Sequence, residues 1–508
     1  VPKTSDELKG IASELGEAFE QDSSGINSGY PVLAWQNGTD ISQDPEKDEN
    51  GWQGEISDTA PNQENGIYQI STPAELKWFA EKSRKESSRN IKAVLTDDID
   101  LNYNQWVCIG GTDEATAFEG TFDGAGYTIK NLYIKNSKGS GLVGYNGGTI
   151  KNVKITGIIK NSDNAGAAAG YNAGEISEVT SCVSVSEGSY IAGIAGSNIG
   201  GVIEECHNKS MISGNGYVGG IAGYNKGTIK KCTNTAVIRS SSTFSAGIAA
   251  DNDEGTVEEC ANSGHIINTA AVRLNFIGGI IGRNAGNAEN LYNTGNIVSR
   301  GSSVGGCVGI NTSGSSANNL FSLGDVSGAS VDNDGVKEFR VGGAIGEVTS
   351  GVSNAYYLET IAIAESGSKG GIKANAGTIK QKAGKLTSMI EEKEHISGTV
   401  TLPEQIYAGS SVKASYKDGN AQNPVYIWYS RTDGREDVLA VSDSFSIPND
   451  FAGSKIYVKC MDGDFYGIKT GASGEIQGLG GTVKISGFEV SGHTLKAEYQ
   501  GNEKNPKY

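Results

Sequence analysis

Between about residues 141 and 357 the apolar residues fall in short runs, rich in Ile and Val, that are cut by Gly, Asn, Ser or Asp. Helical i, i+3, i+4 spacing is missing, so the pattern reads as short strands joined by corners. The runs recur as a phrase: GLVGYNGGTIKNV from Gly141, GAAAGYNAGEISEV from Gly166, AGIAGSNIGGVIEEC from Ala192, GGIAGYNKGTIKKC from Gly219 and AGIAADNDEGTVEEC from Ala246. Weaker copies follow at GGIIGRNAGNAENL, GGCVGINTSGSSANNL and GGAIGEVTSGVSNAYY. The asparagines of the phrase are Asn146, Asn172, Asn198, Asn225, Asn252, Asn284 and Asn311, spaced by 26, 26, 27, 27, 32 and 27 residues, so one insertion explains the long step. A period of this size means a solenoid whose repeats bury their apolar faces only against their neighbours. Strands and corners without a leucine-rich register predict a parallel β-helix.

The columns formed by stacking these repeats are readable too. Val153, Val179, Cys206, Cys232, Cys260, Leu291 and Leu320 follow the phrase's asparagine at a near-constant offset and form one inward stack, with cysteine used as a small hydrophobe. Asn208, Asn234, Asn262 and Asn293 form a second column, suited to a corner with positive φ or to amide ladder hydrogen bonds. Glu204-Glu205, Lys230-Lys231 and Glu258-Glu259 alternate in sign on successive repeats, which favours the register.

Later residues change pattern. VYIWY alternates so that Trp428 points into a core, and Ile456 to Cys460 reads as a later strand. The stretch VTLPEQIYAGSSVKASYKDGNAQNPVYIWY partly recurs 83 residues on, Val400 matching Val483, Gly409 matching Gly492 and Tyr416 matching Tyr499. The expected division is therefore a preceding-module tail at 1–40, an acidic linker at 41–65, a capped β-helix at 66–360, a linker at 361–395, a β-sandwich at 396–478 and the start of a second copy at 479–508. The cap helix begins at Thr72-Pro73 with Glu75, and Leu76, Phe79 and Ala80 form its apolar face. Val1 is no initiator Met and the last repeat breaks off at Tyr508, so the chain reads as a piece of something longer.

Several strings carry a family resemblance. VLTDDIDL, then Trp106-Val107-Cys108-Ile109-Gly110, then the F-x-G-T-F-D-G-x-G-x-T-I string from Phe118 to Ile129, followed by the Gly-rich phrase, resemble GLUG-repeat β-helix modules of Gram-positive surface proteins. The family's usual W-x-P-I-G departs here at the proline, where Cys108 stands. Residues 396–478 resemble bacterial immunoglobulin-like surface repeats. The resemblance implies an all-β chain, a parallel β-helix (solenoid) followed by an immunoglobulin-like β-sandwich. It also implies an adhesin-like role at the bacterial cell surface, wall-attached or secreted, with a host protein or glycan as partner, mucin or immunoglobulin among them.

Composition narrows the chemistry. A formal charge of −17 argues against nucleic acid and against an anionic membrane surface as partners. No apolar run is long enough to span a bilayer, so membrane insertion is not expected. The seven cysteines fall mostly at inward positions and predict buried thiols, not a disulfide framework. Only four histidines occur, His207, His265, His395 and His493, without metal-ligand spacing, H-E-x-x-H or G-x-S-x-G. No metal or other cofactor is implied, and the chain is not expected to be an enzyme. Asp251-Asn252-Asp253 and Asp332-Asn333-Asp334 resemble fragments of a calcium loop, but they lack its remaining ligands and read as solvated turns.

The candidate binding residues lie on the flank. The position before the phrase's asparagine holds Tyr145, Tyr171 and Tyr224, expected to face outward, with Asp251, Arg283 and Glu347 in the same column. The insertion around Ala270–Phe276 adds Arg273 and Phe276. Carboxylates and a guanidinium in that column also leave a β-helix polysaccharide lyase or glycoside hydrolase as the alternative. The core is expected to be filled by its own stacks, so recognition should use the exposed flank.

Overall fold

The computed structural model describes residues 44–477 except 271–274, 302, 330, 334–335, 339, 350, 360–370, 392, 433–434, 463–464 and 466. Beyond these it gives the backbone strands Phe19–Glu20, Val32–Leu33, Gly481–Ser486 and Lys496–Gly501. Each repeat of the phrase forms one coil of a stack, and the strand pairings between these coils are parallel. A first sheet is eight strands deep, from Val143–Asn146 to Ile345–Val348. A second, also eight deep, runs from Lys138–Ser140 to Val341–Gly342. A third, composite face runs from Ile67–Ile70 through the long strands Thr149–Lys160 and Glu175–Ser186 to Val352–Leu358 and Ile372–Ala374.

Side chains between the sheets repeat coil by coil. Val179, Cys206, Cys232, Cys260, Leu291 and Leu320 are fully buried, as are Ile194, Ile221, Ile248 and Ile280 on the facing wall. The first and second sheets meet backbone to backbone: a Cβ on Gly223 would sit 2.8 Å from the carbonyl of Tyr217. That contact explains the glycine midway through the phrase, since any side chain there would force the sheets apart.

Asparagine side chains inside the stack bond to one another in columns. Asn146 Nδ2 donates to Asn172 Oδ1 at 2.8 Å, Asn172 to Asn198 at 2.9 Å, Asn198 to Asn225 at 2.8 Å, Asn225 to Asn252 at 2.7 Å, Asn252 to Asn284 at 2.7 Å and Asn284 to Asn311 at 2.7 Å. A second amide ladder links Asn208, Asn234, Asn262 and Asn293 at 2.7 to 2.8 Å. Of the two readings of that second column, the amide ladder is realised. The positive φ falls three residues earlier, on Glu205, Lys231 and Glu259 at 53°, 53° and 50°. The alternating charges meet as expected, with Lys230 Nζ 2.9 Å from Glu204 and Lys231 Nζ 3.0 Å from Glu205.

The first coil is closed by helix α1, Pro73–Ser83. Thr72 caps it in a capping box with Glu75, and Leu76, Phe79 and Ala80 are buried. Phe79 packs edge-on against Phe118 at 6.0 Å between centroids, covering apolar surface that a solenoid end would otherwise expose. Residues 44–54, within the stretch read as an acidic linker, lie against the early coils. There the Asp44 carboxylate sits 2.8 Å from Lys135 and 2.7 Å from Lys160, and Asn102 Nδ2 donates to the Asp48 carbonyl.

The later part of the chain folds back along the rod. Helix α2, Ala376–Ala383, and the 3₁₀ turn Gly384–Met389 lie within the stretch read as a linker. Their Ile379, Ala383 and Leu386 cover an outward column of Ala261, Tyr292 and Phe321. An antiparallel module follows. Its four-stranded sheet pairs Arg435–Val441, Val425–Thr432, Tyr457–Met461 and Lys469–Ala472 in that order, and Trp428 is fully buried beneath Val412, Val458 and Cys460.

The other face of that sheet docks on the solenoid. Ile427, Val438 and Met461 pack on Ile267, Val298 and Ala329. Inside the interface Lys459 Nζ contacts Asp325 at 2.8 Å, Glu436 at 2.6 Å and Ser327 Oγ at 2.7 Å. His265 Nε2 lies 2.7 Å from the Asp462 carbonyl, and Asn296 Nδ2 donates to the Gly467 carbonyl at 3.1 Å.

Candidate functional site

The column before the phrase's asparagine is one register line: Tyr145, Tyr171, Ser197, Tyr224, Asp251, Arg283, Ile310 and Glu347 pair in sequence across the first sheet. It is less open than its outward direction implies. Tyr145 is only 9 % exposed, and Tyr171 and Tyr224 are half-buried. The expectation of freely exposed tyrosines is corrected in this respect: the backbone of Gly111 and Phe118 bonds to that of Tyr145, Tyr171 stacks on its ring, and a row of rings from the second sheet reaches Tyr224.

That row consists of Tyr190, Tyr217, Phe244 and Phe276. Tyr190 and Tyr217 stack at 4.5 Å and 7°, Tyr217 and Phe244 at 4.4 Å and 16°, and Phe276 continues the line at 5.2 Å. Tyr190 also meets Tyr224 edge-on at 6.4 Å, and Tyr145 stacks on Tyr171 at 5.8 Å. Stacked rings cover each other's faces, so this ladder presents edges to solvent along most of its length. The row was legible: Tyr190, Tyr217, Phe244 and Phe276 each stand four residues before Ile194, Ile221, Ile248 and Ile280. Phe276, assigned to a protruding insert, instead occupies a regular strand, Phe276–Gly278. Arg273, Val272 and Leu274 lie outside the described residues.

Beside the rings sits a charged cluster that spans successive coils. Arg283 Nε and Nη2 donate to the two oxygens of Asp251 at 2.8 Å each, and Nη2 also reaches Asp253 at 3.3 Å. Tyr224 OH donates to the other oxygen of Asp253 at 2.7 Å. Asp251 is 2 % exposed. Burial outweighs the guanidinium and holds its carboxyl above the usual range, while the bond to Asp251 raises Arg283. Burial and the bond to Asp253 likewise raise the Tyr224 phenol. The solvated-turn reading of Asp251-Asn252-Asp253 is corrected here. Asp251 and Asn252 end a buried strand, Ala249–Asn252, and the cation partner is the arginine one coil on.

This geometry is unlike that of a hydrolytic pair. Both Asp251 oxygens are held by Arg283, and Glu347 is held by Arg340 at 3.1 Å and by Ser303 at 2.8 Å. Among the described residues no group of three or more His, Cys, Asp or Glu side chains is placed to hold a metal ion. Asp332 and Asn333 lie in the strand Val331–Asn333, and Asp334 is outside the described residues.

Two clefts that the sequence did not announce lie where α2 crosses the flank. One of about 470 Å³ is lined by Tyr292, Leu323, Leu358, Lys380, Ile390 and Lys393, and a more open one of about 760 Å³ by Glu205, His207, Lys231, Phe321, Lys382 and Met389. Among the described residues no helix is long and apolar enough to cross a membrane.

Comparison with known proteins bears on the fold. No curated protein matches the sequence. One solved structure, "a putative immunoglobulin A1 protease from Bacteroides ovatus", is similar over 58 % of this chain and 86 % of its own, at 18 % identity and a TM-score of 0.36. The family model described as "The GLUG motif" matches residues 214–239. That match covers one coil, including strands Tyr217–Gly219, Ala222–Asn225 and Thr228–Lys230, so motif and solenoid together fit a GLUG-repeat β-helix protein.

Proposed function

We propose that this chain is a non-catalytic binding segment of a large bacterial surface protein, wall-attached or secreted, that engages a host glycoprotein, mucin glycan or immunoglobulin through the solenoid flank. One observation carries the reading: Tyr224, Asp253 and Arg283 come together part-exposed on one face, with Tyr171 two coils along the same column, while the solenoid core is filled by its own stacks. Aromatic edges beside a guanidinium and a carboxylate offer hydrogen-bond donors and acceptors to a sugar or to a protein loop. The antiparallel module, read as an immunoglobulin-like repeat, adds a second surface beside the rod.

The alternative, a glycan-cleaving β-helix, needs a carboxylate free to protonate a leaving oxygen and a second one to attack or activate water. Asp251 is buried and bidentate to Arg283, which leaves it without either role. The test is a glycan panel with product analysis, together with capture of the chain's ligands from mucus and serum. Tyr171→Ala combined with Tyr224→Ala is expected to lower affinity at least tenfold without unfolding the chain. Undiminished binding by that variant moves the site to the clefts or the module, and released sugar products reinstate the enzyme.

A further inference from the structure

We propose that the antiparallel module is a fold-back arm latched to the solenoid flank by neutral His265, and that mild acid releases it. The argument begins with hydrogen-bond direction. The backbone N–H of Asn296 donates to His265 Nδ1 at 3.1 Å, so that nitrogen must be the unprotonated one. The proton of the neutral ring is therefore on Nε2, which donates to the Asp462 carbonyl at 2.7 Å. This second bond ties the rod to the module.

A second proton has no place in this arrangement. It would sit on Nδ1 facing the Asn296 N–H, turning an acceptor into a donor against a donor. The ring is 2 % exposed, so water cannot relieve the conflict. Charged groups around it come from each packed element. Lys393, after α2, lies close enough to oppose a cation, while Asp462 and the Phe465 backbone favour one. Deeper in the interface Lys459 is flanked by Asp325 and Glu436. Burial, with Lys393 assisting, pushes His265 down to about 4.

Sign and size follow. In the released arm His265 faces water and takes up its proton near its ordinary value of 6.5, whereas the docked ring does so only near 4. Docking is therefore at full strength above 6.5 and is lost progressively as the pH falls toward 4, with the docking constant about 30-fold lower at pH 5 than at pH 8. The latch has a consequence for shape, because α2 and the turn after it carry the chain backward along the flank. Release frees the module to extend away from the rod and uncovers Ile267, Val298, Ile427 and Met461.

The experiment is small-angle scattering of the full chain from pH 8 to pH 4.5, with circular dichroism to follow the solenoid, on the unmodified protein and on His265→Gln. Glutamine keeps an acceptor for Asn296 and a donor for Asp462 but takes no proton. The expected result is a maximum dimension that grows below about pH 6 in the unmodified chain and stays constant in the variant, with the solenoid signal intact in both. An unmodified chain that stays compact at pH 4.5 overturns the proposal. So does opening of the variant at the same pH, which would assign the effect to Asp325 and Glu436. Should the variant not fold, imidazole resonances of the unmodified chain decide, since only four histidines need assignment. His265 titrating near 6.5 with no change in scattering overturns the proposal, and His265 remaining neutral until the chain opens supports it.

Discussion

Inside the solenoid the buried asparagines of two columns each meet a copy of themselves one coil away, whereas at the interface with the antiparallel module the buried polar groups meet groups of another kind. The difference lies in self-complementarity. An amide carries both donor and acceptor, so Asn146 to Asn311 can stack as identical neighbours with every bond made between coils. Carboxylates and ammonium groups cannot, and ion pairs form where the sign changes from one coil to the next, as in Glu204 with Lys230 and Asp251 with Arg283. At the docking interface no repeat exists, so one buried lysine is flanked by two carboxylates. Burial alone would lower Lys459, but Asp325 and Glu436 hold its ammonium above the ordinary value.

The largest expected effect breaks the interface side of this comparison. Lys459→Met leaves the Asp325 carboxylate without its cation and Glu436 with Arg431 alone, which should weaken docking by about 3 to 5 kcal/mol. Scattering should show an extended arm at neutral pH while solenoid unfolding in urea is unchanged. A compact variant would mean that the apolar contacts hold the arm alone.

On the solenoid side, Asn225→Ala removes the acceptor of Asn198 and the donor to Asn252, costing about 2 to 4 kcal/mol. Urea denaturation followed by circular dichroism reads this directly. The same substitution at Asn311, the last asparagine of the ladder, should cost less, because only Asn284 among the ladder amides donates to it. Equal losses at both positions would show that the ladder bonds are not what the substitution removes.

Between these lies Arg283→Met, which strips the cation from buried Asp251. Because the guanidinium is about one-third exposed, we expect a loss of about 2 kcal/mol, largely restored by adding Asp251→Asn. A double-mutant cycle checks it. The smallest effect should come from Lys231→Ala, whose ion pairs with Glu204 and Glu205 lie in solvent and fade with salt, so that urea unfolding should be nearly unchanged.

Much of the solenoid was legible from its columns. The 26-residue beat fixed the coil, the inward stack from Val153 to Leu320 and the amide column from Asn208 to Asn293, because a parallel in-register stack places equivalent residues directly above one another. Thr72, Pro73 and Glu75 announced α1 through local capping chemistry. The flank was legible only in part: the Tyr145 column and its register followed from spacing, but its burial depended on the chain around Gly111 and Phe118 and on rings from the second sheet beside Tyr224.

What tertiary structure alone decided is where non-repeating parts meet the rod. Nothing local to Lys459 names Asp325, 134 residues away, and nothing local to His265 names Asp462, 197 residues away. A hint existed in the outward column Ser213, Arg239, Ile267, Val298, Ser327, which turns apolar only where the module covers it. One sequence holds too few repeats to distinguish that cover from chance. Periodicity determines contacts between equivalent positions, since each coil is its neighbour's template; contacts between unlike surfaces are settled only when shape, charge and hydrogen-bond direction are matched in three dimensions.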